Sequence, residues 1–255
     1  MNNKFTILGC GSSLGTPRID GKWGSCKKAI KNYRTRCCAH IQYHNISILI
    51  DTSPDIKLQL LKNKIRKIDS IIYTHFHSDQ VAGIFEFRPF YWSTQKKISV
   101  FADNVTCNHL LKKYKFLFKG QQNYPPIMNL KKIKQNFFIK KEKKKINFKA
   151  LKVLHGKIFA NGYLFNDIAY ISDCNKIPKT VGKNLYNLSY LIIDCFRPEK
   201  FPTHFSLSES LETIKKFKPK KAILTNLHSD LDYYKLKKKL PKNIIPAYDG
   251  MSFNF

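Results

Sequence analysis

The stretch Tyr73-Thr74-His75-Phe76-His77-Ser78-Asp79-Gln80 constrains this chain more tightly than any other. It follows the apolar run Ser70-Ile71-Ile72-Tyr73, which is too short for a helix and is bounded by polar residues. The spacing therefore predicts a buried strand that stops at the histidines. On a short, turning loop two imidazoles and a carboxylate converge on one point, and these are ligands that a zinc- or manganese-class ion accepts. A lone His-x-His pair carries little weight. Here it gains weight from the strand before it, from Asp79 beside it and from further candidate ligands downstream.

Those further ligands repeat one pattern, an apolar strand that ends in a residue able to bind a metal or move a proton. Leu151-Lys152-Val153-Leu154 runs into His155, and Ile168-Ala169-Tyr170-Ile171-Ser172 into Asp173. Tyr190-Leu191-Ile192-Ile193 runs into Asp194, and Ala222-Ile223-Leu224-Thr225-Asn226-Leu227 into His228. Packing alone does not explain such a set of strand ends. Ile48-Leu49-Ile50 likewise ends in Asp51, a carboxylate well placed to orient a metal-bound histidine from behind.

The remaining elements follow from periodicity and turn chemistry. Phe5 to Leu8 reads as a first strand running into Gly9-Cys10-Gly11-Ser12-Ser13-Leu14-Gly15-Thr16-Pro17, where glycine allows close backbone approach and the hydroxyls offer hydrogen bonds. The loop from Ser12 to Arg36 covers the site and carries Arg18, Arg34 and Arg36, each a candidate phosphate clamp. Ala39–His44 and Ser47–Asp51 form a hairpin, and Asp55 opens an amphipathic helix through Leu58, Leu61 and Ile65. Residues 98–102 read as a strand, 104–118 as helical, and 87–92 as an aromatic loop. The lysine run 140–145 turns a hairpin between strands near 136–139 and 146–154. Ser206 to Phe217 is a helix with a Ser206/Glu209 capping box, and 241–255 closes the chain with a strand.

With 255 residues, 43% of them apolar, the chain is expected to be one globular domain over residues 1–255. No stretch approaches the roughly 20 apolar residues of a membrane span, so no membrane partner is expected. The start of the chain lacks a signal-like apolar run, and the seven cysteines form no CxxC pair, which makes the cytoplasm the expected location. The formal charge of +29 invites a nucleic-acid partner, yet it rests on 40 Lys against 6 Arg, whereas phosphate and base recognition favours the arginine fork. A surplus of Lys, Asn and Ile also follows from AT-rich codons. Nucleic acid is therefore admitted but not favoured, and a small anionic substrate is compatible.

In the order His75-x-His77-x-Asp79, His155, Asp173, His228 the chain resembles the metallo-β-lactamase superfamily over nearly its whole length. The segments Gly9–Pro17 and Tyr248-Asp249-Gly250-Met251 are similar to its PhnP branch. That resemblance implies an α/β fold, a four-layer αβ/βα sandwich with metals where the two sheets meet. It implies one ion held by His75, His77 and His155, and a second held by Asp79 and a later histidine, with Asp173 bridging. The implied chemistry is hydrolysis of a small cyclic or diester phosphate by a hydroxide on two divalent ions, Mn²⁺ or Zn²⁺. His204, within Pro202-Thr203-His204-Phe205-Ser206-Leu207, is the implied general acid, and Asp79 counts among the catalytic residues as well as the ligands. Homodimers are common among such proteins and are implied here too.

Three departures from the pattern stand out. Gln80 occupies the place of a metal-binding histidine, so an amide oxygen is the ligand available there. Leu224-Thr225-Asn226 puts Asn226 where a histidine ligand is usual; strand periodicity would put His228 on the same face as its replacement. Of the cysteine cluster that holds a structural zinc in PhnP only Cys26 is left, and no structural zinc is expected. Two alternatives to the phosphodiesterase remain, a tRNA 3′-processing-type nuclease and a non-enzymatic or single-metal descendant.

Overall fold

The computed structural model describes residues 3–255. In chain order the first strands are β1 (Lys4–Gly9), β2 (Cys38–Tyr43), β3 (Ile46–Ile50), β4 (Ser70–Ile72), β5 (Ile98–Ala102) and β6 (Met128–Lys132), each paired with the next. A second sheet follows, built in the same way from β7 (Asn136–Lys141), β8 (Lys144–His155), β9 (Ile158–Phe165), β10 (Ile168–Ile171), β11 (Tyr190–Asp194), β12 (Lys221–Thr225) and β13 (Ile244–Pro246). Finally β14 (Met251–Asn254) returns to the first sheet, antiparallel beside β1.

Alternation along the strands creates the layers. Ile46, Ile48 and Ile50 of β3 enter the core between the sheets, while Leu49 packs against the helices outside. Ile168 and Tyr170 of β10 face the same central core, and Ala169 and Ile171 face the helices of the other side. Two sheets with helices on both outer faces give the αβ/βα sandwich. The strands β3 to β6 run parallel, as do β10 to β13. Such strands are buried on both faces, which explains why β4 and β11 read as unbroken apolar runs.

Parallel strands place their carboxyl ends along one edge, where ligands of open α/β sheets collect. Asp51, the loop holding His75, Asp173 and Asn226 follow four of these ends, and Asp194 is the last residue of a fifth strand. Backbone hydrogen bonds tie the two sheets together at this edge: Leu227 N donates to Cys10 O at 2.8 Å, and Asn161 N to Thr74 O at 2.9 Å.

Residues 104–118 are helical as expected, in two pieces, Asn104–Lys113 and Lys115–Lys119, separated at Tyr114. Other elements differ from expectation. The aromatic segment is largely the helix Arg88–Thr94, with Pro89 in the first turn, where its missing N–H is not needed. The closing stretch supplies two strands, β13 and β14, to different sheets. Ser206 caps the helix Leu207–Phe217 with the full capping box to Glu209. Among the described residues no helix is long and apolar enough to cross a membrane.

Candidate metal centre and proton donor

Three imidazoles meet at the carboxyl edge. His77 Nδ1 lies 3.0 Å from His75 Nε2 and 3.2 Å from His155 Nε2. The tautomers follow from the partners behind each ring. Thr74 Oγ1 donates to Asp51 Oδ2 at 2.9 Å and so accepts from His75 Nδ1–H at 3.0 Å, while His155 Nδ1–H donates to the Thr203 carbonyl at 2.8 Å. Both Nε2 atoms therefore present lone pairs toward the same point. Three nitrogens bound at about 2.0–2.1 Å to a tetrahedral zinc-class ion sit about 3.3 Å apart, so this trio fits such an ion.

Burial disfavours charge on two of the three rings. It holds the His75 imidazole down to about 3, and burial, with the neighbouring His155 ring adding to it, lowers His77. Asp51 stands behind them in the left-handed region (φ 65°), wholly buried, with Oδ1 accepting from Thr74 N at 2.8 Å. It thus stands behind His75, as the sequence suggests, and reaches it through the Thr74 hydroxyl. Gly156, at φ 61°, turns the chain after His155 with Thr203 against it; an added Cβ would lie 2.6 Å from Thr203 Cγ2.

A fourth imidazole faces the trio. The His204 ring lies 4.6 Å from that of His155 and stacks on Phe196 at 4.7 Å. His204 Nδ1–H donates to Asp194 Oδ2 at 2.7 Å. Burial opposes charge on His204, but the Asp194 carboxylate outweighs it and raises the imidazole to about 9, which favours the protonated ring.

The second expected site is differently furnished. Burial, and then Asp173, pushes the Asp79 carboxyl up to about 6. Asp173, held low by His75 and the other imidazoles against the cost of burial, shares a cluster with His155 and His204. Gln80 Nε2 donates to Asp79 Oδ2 at 3.3 Å and Asp173 Oδ2 at 3.4 Å. His228 does not join them: its Nδ1 meets Asp230 at 2.8 Å and its Nε2 meets Arg197 at 3.4 Å. The expectation of strand periodicity fails because Asn226 lies past the end of β12 at φ 59°, which turns the chain before His228. Asn226 instead donates from Nδ2 to Asp194 Oδ1 at 3.1 Å. The residues present thus fit one ion on three imidazoles; for a second they offer two carboxylates and an amide that already donates to both.

The arginines expected as phosphate clamps are engaged elsewhere. Arg34 is 1% exposed and donates to the His228 and Leu231 carbonyls and to Asn32 Oδ1. Arg36 pairs with Asp55, and Arg18 with Asp20. Arg197, which sequence reasoning passed over, lays its guanidinium over Phe196 and Phe201 at 4.9 and 5.1 Å. Its position beside His228 is the signal that only the fold reveals.

Fold and site define a protein of the metallo-β-lactamase fold with a cluster of imidazoles able to hold a metal ion. The chain belongs to the β-lactamase superfamily: the family model described as beta-lactamase superfamily domain matches residues 47–226. Within it the likeness is to PhnP proteins, since a solved structure described as a new diphosphatase from the PhnP family is 30% identical with a TM-score of 0.91, covering 100% of this chain and 98% of that one. Zinc-bound PqqB from Methylobacterium extorquens shares the fold at a TM-score of 0.81 and 14% identity, over 99% of this chain and 100% of that one. An octanoyltransferase of Porphyromonas gingivalis is 26% identical over 252 residues, which are 96% of this chain and 50% of that protein. The chain thus spans about half the length of that relative.

Proposed function

We propose that the chain is a metal-dependent phosphodiesterase, acting on a small cyclic, diester or diphosphate substrate. The observation that carries this reading is the pairing of a three-imidazole ligand set with a fourth imidazole, His204, 4.6 Å away, ring to ring, and backed by the Asp194 carboxylate. When bound, a divalent ion supplies a Lewis acid and activates water. The protein's own residues do the rest. His75 and His155 are fixed in their ligand tautomers by Thr74 and Thr203. His204, whose Nδ1–H is committed to Asp194, holds its transferable proton at Nε2 for the departing alkoxide or phosphate oxygen. Arg197, stacked on Phe196 and Phe201, brings a positive charge to the same wall, which suits an anionic substrate. The diphosphatase likeness supports a compact phosphate substrate.

The test is hydrolysis by zinc- or manganese-loaded protein of bis(4-nitrophenyl) phosphate, a cyclic nucleotide, a nucleoside diphosphate ester and a structured RNA. The reading expects small substrates to be cleaved and chelation to abolish cleavage. Comparable cleavage of the RNA, with affinity falling steeply in salt, would mark a nuclease instead.

A further inference from the structure

We propose that this is a one-ion centre, in which the carboxamide of Gln80 takes the place of a second ion. The inference rests on the metal-dependent reading above but concerns a different pair of residues. Asp79 and Asp173 bring two carboxylates together, and two such groups need a positive or donating partner between them. Gln80 provides it. Its side chain is 1% exposed, and Nε2 lies within 3.3 and 3.4 Å of the two carboxylate oxygens.

The orientation of this amide is set by its neighbours. Turned over, Gln80 would direct its oxygen at two carboxylates. As it stands, Oε1 is a buried acceptor without a donor, a cost of about 1–3 kcal/mol that the arrangement bears to keep Nε2 on the carboxylates. For a second ion to enter, both amide hydrogen bonds must break. What it would then find is poor by comparison with the first site, namely two carboxylates and one amide oxygen against three imidazoles.

The other residue that could have completed the site is also an amide and is also occupied. Asn226 Nδ2 donates to Asp194 Oδ1, which supports the partner of His204. His228, the remaining histidine of the segment, is held by Asp230 and Arg197, and the Phe196 ring packs against both it and His204. Both positions thus carry carboxamides whose N–H groups are given to carboxylates, Gln80 to Asp79 and Asp173 and Asn226 to Asp194.

Elemental analysis of the full chain, loaded with excess Zn²⁺ or Mn²⁺ and then desalted, tests this. One ion per wild-type chain is expected, together with an uncoupled Mn²⁺ electron paramagnetic resonance spectrum. The Gln80→His, Asn226→His double variant, checked for native circular dichroism, is expected to bind two ions. Two ions or exchange-coupled manganese in the wild type would overturn the inference and leave the hydrolase reading standing. No retained ion would overturn both.

Discussion

His204 meets Asp194 across 2.7 Å, with the carboxylate wholly buried at the end of β11. Asp194 also accepts from Cys174 N at 2.8 Å and from Asn226, so it is fixed before it fixes His204. An amide in its place cannot stabilise an imidazolium. Asp194→Asn is therefore expected to lower kcat on an alkyl diester by about 10²-fold or more. Because the two residues act as a unit, it should add little in a His204→Ala background. Steady-state kinetics on the two single variants and the double variant check this.

Thr74 joins Asp51 to His75, and its hydroxyl selects which His75 nitrogen faces the ion. Thr74→Val keeps the shape of the side chain and removes that hydroxyl. Zinc affinity, read by competition with a chromophoric chelator, should fall about 10–100-fold. An unchanged affinity would show that His75 needs no such partner.

Arg34 serves the fold, with its guanidinium spread over two carbonyls and an amide oxygen. Arg34→Met should cost about 3 kcal/mol in urea unfolding by leaving buried acceptors unpaired. KM at a temperature where the variant is folded should stay within about twofold. The exposed Arg18 offers the contrast: Arg18→Ala should leave the melting temperature unchanged.

Burial, assisted by Lys4, holds the His40 imidazole down to about 4 from its ordinary 6.5. His40 Nε2–H donates to Ser47 Oγ at 2.8 Å, and that hydroxyl donates onward to the Lys67 carbonyl. The unfolded chain takes up a proton here near pH 6.5, which the folded chain refuses until about pH 4. Stability from this group is thus fully present above about pH 6.5 and is lost as pH falls toward 4, by about 3 kcal/mol in all. Urea midpoints of the metal-free protein at pH 7 and pH 4.5 should differ less in His40→Gln than in the wild type.

Most of the imidazole and carboxylate cluster was legible because its members sit where apolar strands stop. His75, His77 and His155 each follow such a run, and so do Asp173 and Asp194. The connections behind them were not legible. A threonine after a strand attracts no notice, yet Thr74 links Asp51 to His75. His228 was misplaced because period-2 reasoning ends with the strand, and one left-handed residue, Asn226, ends it. In β9, Asn161-Gly162 has the composition of a turn; it lies inside a strand because Gly162 packs against Ile171 and Asn161 bonds Thr74 of the other sheet. Arginine content likewise told nothing about which guanidinium is buried.

The central claim is that His204 delivers a proton to the leaving oxygen. It is tested most directly by kcat/KM of wild type and His204→Ala on two esters of the same phosphate, one with an alkyl and one with a 4-nitrophenyl leaving group. The alkyl ester should lose about 10²–10⁴-fold, while the nitrophenyl ester, whose leaving group needs no proton, should lose less than about tenfold. Equal losses on both esters would contradict the assignment.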